Sequence, residues 1–259
     1  MNQNIFLILI IFIIQFYSPN SVAETNNEQN ENDYKKYKNL IELSYYQYDS
    51  SQYTNILIKI EAKLKTEDNF ILNYYAGFIN LQLGKILYDI DENRAFDYFD
   101  NAIDYLLNAK NYQTNSELEA LISDSYAKKA SLSGLSAFYW GLKSNSFIKS
   151  AYKLDSLNPK TLLIASIHLM YVPSEFGGDK TKSRKLLQRA LSNNYLIHID
   201  SSNIIWADSC EIFSYLSQLE ILNNNIDLAK KYLDSSDKIC PDFDFNKLVI
   251  RKQIEDLDK

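Results

Sequence analysis

Apolar residues recur along this chain at spacings of three and four, the signature of helices with one buried stripe. In "RAFDYFDNAIDYL" the stripe is Ala95, Phe99 and Ala102. The same small–large–small order returns as Ser144, Ile148, Ala151, then as Ser183, Leu187, Ala190, and again as Ala229, Leu233, Ser236. A looser copy is Ile56, Ile60 and Lys63. Each of these helices is preceded by another that carries a small residue in an apolar setting: Gly77, Ser123, Ser166 and Cys210. A small residue lets a second helix come close, and a large residue of the neighbour fills the adjacent space. The pattern predicts an all-α fold of paired helices from about Tyr34 to Asp256, closed by a C-terminal helix in "FNKLVIRKQIEDL" with Leu248, Ile250 and Ile254 facing inward. With only 6 Gly and 4 Pro in 259 residues, a turn-rich β fold is disfavoured.

The repeated pattern resembles the tetratricopeptide repeat. "AYKLDSLNPKTLLIAS" is similar to the junction between two such repeats, and "PSEFGGDKTKSRKLLQRAL" is similar to a variant found in exported bacterial proteins of this type. The resemblance implies a right-handed superhelix of stacked antiparallel helix pairs, about five pairs plus the C-terminal capping helix. From Ala95 to Ser144, Ser183 and Ala229 the steps are 49, 39 and 46 residues, longer than the ~34 of the standard repeat. The surplus is expected in the turns within each pair, or in the helices flanking them.

The N-terminus follows different rules. Ile5 to Ile14 is an unbroken apolar run, too short for a bilayer, which needs about 20 residues. Pro19 and then Ser21, Val22 and Ala23 follow, small residues suited to signal-peptidase cleavage before Glu24, although "MNQN" lacks the usual Lys or Arg. Residues 1–23 are therefore read as a signal peptide, residues 24–33 as a disordered polar leader and residues 34–259 as the helical-repeat domain. This implies export to the periplasm or beyond the cell, with no membrane span after cleavage.

The stretch "YVPSEFGGDKTKSRK" raises the question of a phosphate loop. Pro173 ends a helix, Gly177 and Gly178 allow a reversal, and Asp179 stands where an N-cap belongs. Its carboxylate would occupy the position a phosphate needs, so these four residues read as a structural turn. His168 sits in an apolar helix, and neither it nor His198 has a metal-spaced partner, so no metal and no cofactor is expected. "SGLSAF" around Ser136 lacks the second Gly of a nucleophile elbow. No catalytic constellation can be assembled, which argues against an enzyme. The net charge of -6 argues against a nucleic-acid partner.

Three features remain as candidate sites. Leu163, Ile167 and Met170 would line an open groove on the concave face. Phe138, Tyr139 and Trp140 lie between two glycines, either as an exposed patch for a partner or as a small core under an inter-helix segment. Cys210 and Cys240 lie at similar distances from a turn expected at Asn223 to Asn225, so an antiparallel hairpin would bring them to one height. They are either joined as a disulfide or Cys210 is only a packing residue. The leading functional expectation is an exported, non-enzymatic scaffold binding a peptide or protein. The alternative, suggested by a similarity of "NYYAGFINLQLGKILYD" and the "FGGD" turn to the T component of TRAP transporters, is a ligand-binding accessory of a solute uptake system. A buried channel lined by polar groups would favour the second.

Overall fold

The computed structural model describes residues 19–197 and 209–257. Among them there is no strand, and five helix pairs follow one another. These are α1 (Pro19–Gln47) with α2 (Ser50–Leu64), α3 (Phe70–Leu87) with α4 (Glu92–Tyr112), and α5 (Ser116–Ser131) with α6 (Ala137–Leu154). Then come α7 (Pro159–Tyr171) with α8 (Lys180–Ile197), and α9 (Ser209–Ile221) with α10 (Ile226–Ile239). A π turn, Asn246–Ile250, leads into the last helix, α11 (Arg251–Leu257). Each pair packs against the next, as a stack of helical repeats requires.

Side-chain caps set many of the boundaries. Asp49, Asn69, Asp91, Asn115 and Asn158 each accept a hydrogen bond from a backbone N–H in the first turn that follows. Pro159 adds a pre-set φ at the start of α7. The segment 24–33, expected to be disordered, is helical in backbone as part of α1. No Gly or Pro interrupts it before the amphipathic part of that helix begins.

The small–large–small stripes lie where the helices cross. Ala95, Phe99 and Ala102 are fully buried, as are Ser183, Leu187 and Ala190. A Cβ on Gly77 would lie 2.5 Å from Leu106, and one on Gly84 2.4 Å from Phe99, so α3 and α4 approach as closely as glycine permits. Where serine takes the small position, its hydroxyl also bonds across the pair. Ser123 donates to the Ser144 carbonyl at 2.7 Å, Ser183 to that of Ser166 at 2.8 Å, and Ser236 to that of Cys210 at 2.9 Å. These bonds leave no buried hydroxyl unsatisfied at the crossing.

The extra length over a standard repeat resides mostly in the helices: α4 has 21 residues, and α3 and α6 have 18 each. Among the described turns within pairs, the α7–α8 turn is the long one. There Gly177 takes φ 97°, a left-handed value. A Cβ on Gly178 would meet the Val172 carbonyl oxygen at 1.7 Å. The Asp179 N–H donates to the Leu169 carbonyl, and its carboxylate accepts from the Lys182 N–H, both at 2.9 Å.

The C-terminal segment departs from the expected register. Ile250 and Ile254 are buried, but Leu248 is exposed and Asn246 is buried in its place. Asn246 Nδ2 donates to Ser236 Oγ at 2.8 Å and to Asp237 at 2.9 Å, and its carbonyl oxygen accepts from Ser214. Anchored there, the chain widens into a π turn before α11 begins, which rotates Leu248 outward.

Candidate ligand-binding concavity

The first helix of every pair sends residues to a common hollow of about 170 Å³. Tyr45 and Tyr48 come from the end of α1, and Gln82, Lys85, Tyr88 and Asp89 from α3 and the turn after it. Lys128 comes from α5, Tyr171 from the end of α7, and Tyr215 and Gln218 from α9. The wall is completed by Phe243, Phe245, Val249 and Gln253.

Aromatic contacts close the hollow on its C-terminal side. Phe243 lies 5.5 Å from the ring of Tyr45 and 5.8 Å from that of Tyr46, and Phe245 lies 5.9 Å from Tyr215 and 6.2 Å from Tyr48. The end of the chain thus reaches the first helix pair, and the stack is not an open groove along its whole length. Cys210 and Cys240 are joined by a disulfide, with Cα atoms 6.0 Å apart. The bridge ties the residue at the start of this aromatic strap to α9.

The floor is charged. Lys85 Nζ pairs with the buried Asp124 at 2.7 Å. Burial pushes the Asp124 carboxyl up, but Lys85 and Lys128 outweigh it and hold the group below its ordinary value. Lys128 has the opposite history: burial lowers its pKa, the neighbouring Lys85 adds to this, and Asp124 and Asp89 only partly oppose. The Lys128 ammonium lies 5.5 Å from the centre of the Tyr88 ring. Behind this floor, His168 has its pKa pushed down to about 4 by burial, so it is neutral near pH 7, and its Nε2 has no hydrogen-bond partner. Burial raises the tyrosines: Tyr48 reaches about 12, and Tyr171 and Tyr215 rise further. A neutral phenol is an apolar plate with one polar rim.

A second hollow of about 420 Å³ shares Tyr171 and lies under the α7–α8 turn, between Leu169–Ser174, Gly178–Lys180 and Leu222. Its one cation is engaged, because Lys180 Nζ donates to the Leu222 carbonyl at 2.6 Å. It gathers one tyrosine rather than a ring of aromatics, and size alone does not make it the better site.

The residues singled out in the sequence are placed differently from one another. Leu163, Ile167 and Met170 are buried in a core with Leu187, Leu216 and Leu219, and of the three only Met170 reaches a hollow, the second one. α7 has neighbours on several sides, and a helix apolar all round is covered all round. Phe138, Tyr139 and Trp140 stand in the first turn of α6, not in a loop. Phe138 and Tyr139 are exposed, whereas Trp140 stacks on Tyr126 at 5.8 Å beneath the Lys129 ammonium. Pro173, Gly177, Gly178 and Asp179 form the α7–α8 turn described above. His198 lies outside the described residues. No cluster of His, Cys, Asp and Glu that could hold a metal occurs among the described residues.

The concavity itself escaped the sequence reading. Its signal was polar residues inside otherwise apolar helices: Gln82 and Lys85 in α3, Asp124 and Lys128 in α5, His168 in α7 and Gln218 in α9.

No protein-family model matches the chain, and no curated protein matches it in sequence. Among solved structures it is similar to the HusA haemophore from Porphyromonas gingivalis. The TM-score is 0.57 at 14% identity, over 76% of this chain and 92% of that one. At that identity the likeness is one of fold.

Proposed function

We propose that this protein is an exported, non-enzymatic, tetratricopeptide-like binding protein that captures a flat aromatic small molecule in the concavity. The observation that carries the reading is the ring of Tyr45, Tyr48, Tyr88, Tyr171, Tyr215, Phe243 and Phe245 around a floor with two lysines. Apolar plates with a few placed polar groups are what small-molecule sites are made of. The similar fold belongs to a haemophore, which makes a porphyrin the first ligand to test.

The lining fits a porphyrin through its rings rather than its iron. The hollow offers no His or Cys, and burial keeps its tyrosines as neutral phenols whose rings form the wall. Its volume, about 170 Å³, is below the ~300–1,000 Å³ of typical ligand sites. A macrocycle would therefore enter edge first, with the strap at Phe243 and Phe245 moving outward.

Titration of the exported protein with haem and with metal-free protoporphyrin, followed by Soret absorbance and by quenching of Trp fluorescence, tests this. Both are expected to bind with one site and affinities within about tenfold of each other. Binding of neither overturns the reading, and binding of haem alone would mean iron ligation. The protein-partner reading retains one observation: Leu135, Phe138, Tyr139 and Leu142 are exposed near the start of α6.

A further inference from the structure

We propose that Lys128 is the anion-recognising residue of the concavity, so that its ligand carries a carboxylate or a similar anionic oxygen group beside an aromatic body. This rests on the small-molecule reading above and adds to it the polar half of the ligand.

The charges facing this point come from four elements. Lys85 of α3 and Asp124 of α5 satisfy one another at 2.7 Å. Asp89 stands in the turn after α3, and His168 of α7 is neutral near pH 7. Among the described residues Lys128 makes no ion pair, and Asp89 and Asp124 attract it only from beyond ion-pair distance. Its ammonium lines the hollow, leans on the Tyr88 ring at 5.5 Å, and has no described carboxylate within ion-pair distance. The two lysines buried outright among the described residues each have such a partner, Lys129 with Asp100 and Lys160 with Glu211 at 3.0 Å, whereas the partly exposed Lys128 has none. A cation drawn out of water without a partner is costly. A protein that pairs its buried lysines and leaves this partly buried one open to an aromatic hollow holds a half-made ion pair there. The lowered proton affinity of Lys128 has the same cause: burial outweighs the help from Asp124 and Asp89. A ligand's anionic group would complete the pair, and the rings of Tyr88, Tyr171 and Tyr215 are placed to receive its aromatic part.

Two dyes that differ by one sulfonate group test this. 1-Anilinonaphthalene-8-sulfonate and N-phenyl-1-naphthylamine share an aromatic body, and only the first carries an anion. Their fluorescence rises on leaving water, so both can be titrated into wild type, Lys128→Met, Lys128→Arg and the exposed-site control Lys149→Met. Wild type is expected to prefer the sulfonate. Lys128→Met should weaken the sulfonate by about tenfold or more, the span of a hydrogen bond to a charged group. It should leave the neutral dye within about twofold, and Lys128→Arg should restore most of the loss. Equal binding of both dyes by wild type, with Lys128→Met silent, overturns the role of Lys128 and leaves the concavity reading standing. Binding of neither dye overturns both. Circular dichroism of each variant distinguishes a lost site from a lost fold.

Discussion

Two buried titratable residues of the inner helices pull stability in opposite directions with pH. Glu117 accepts from the Tyr74 hydroxyl at 2.6 Å, yet burial lifts its pKa from 4.5 to about 7, with Lys160 and Tyr74 only partly offsetting this. The folded state then holds this proton more tightly than the unfolded chain. Its contribution is fully present below about pH 4.5 and is lost as pH rises through about 7. His168 is the reverse: its folded pKa of about 4 lies below the ordinary 6.5, so its contribution is present above pH 6.5 and is lost as pH falls toward 4. Each effect is on the order of 3 kcal/mol at full extent, and between pH 4.5 and 6.5 they largely cancel. Glu117→Gln keeps an acceptor for Tyr74 and should leave stability rising with pH over that range. His168→Leu should leave it falling. Urea unfolding midpoints at pH 5, 6 and 7 measure both slopes, and two flat profiles would mean that neither proton is held as described.

At the scale of elements, legibility depended on whether a residue's task was local or shared. Helix pairing was legible because the small positions are set by contact between neighbours in sequence. Gly77, Ser123, Ser166 and Cys210 each face the helix that follows, and their spacing survives in the one-dimensional pattern. Leu163 and Ile167 lie in a covered core because an apolar helix does not reveal how many neighbours will cover it. Leu248 was misplaced because the π turn depends on Asn246 bonding to Ser236 and Ser214, on two other helices. The concavity was illegible for the same reason: six helices contribute one or two residues each, and the turns and the C-terminal segment supply the rest. The α9–α10 hairpin yields an element-scale test. The Cys210–Cys240 bridge closes a separation of 30 residues, which stabilises the folded chain by about 3–4 kcal/mol in the chain-entropy model. The Cys210→Ser, Cys240→Ser double variant should lose about that much in denaturant unfolding, with its helical content unchanged in native buffer. Two alkylatable thiols in the folded, unreduced exported protein would show that the cysteines only pack.

For the molecule as a whole, the decisive feature is that the stack closes on itself. A row of helix pairs in which each contacts only its neighbours would leave its inner face open from end to end. Here Tyr45 and Tyr46 of the first pair meet Phe243 of the C-terminal segment, and Phe243 also contacts Phe245 at 5.7 Å. Phe243 is fully buried and lines the hollow, so a single ring serves as both closure and wall. Phe243→Ala removes this ring from a packed site and should cost about 3–5 kcal/mol if the strap unfolds only with the rest of the chain. If closure is a separate step, the loss will be local. The geometry favours the local outcome, because no residue buried in the first core, which runs from Ile41 of α1 to Ile164 of α7, belongs to the strap, and the aromatic link between them is the partly buried Tyr45. Hydrogen exchange of Phe243→Ala should then show faster exchange at the end of α1, in residues 241–250 and in α11, with α4 and α5 still protected. Phe243→Leu should lie between wild type and alanine. Porphyrin affinity should fall with the strap's protection rather than with global stability. Uniform loss of protection across all helices would mean instead that the ring is a keystone of the whole fold and that the hollow has no separate door.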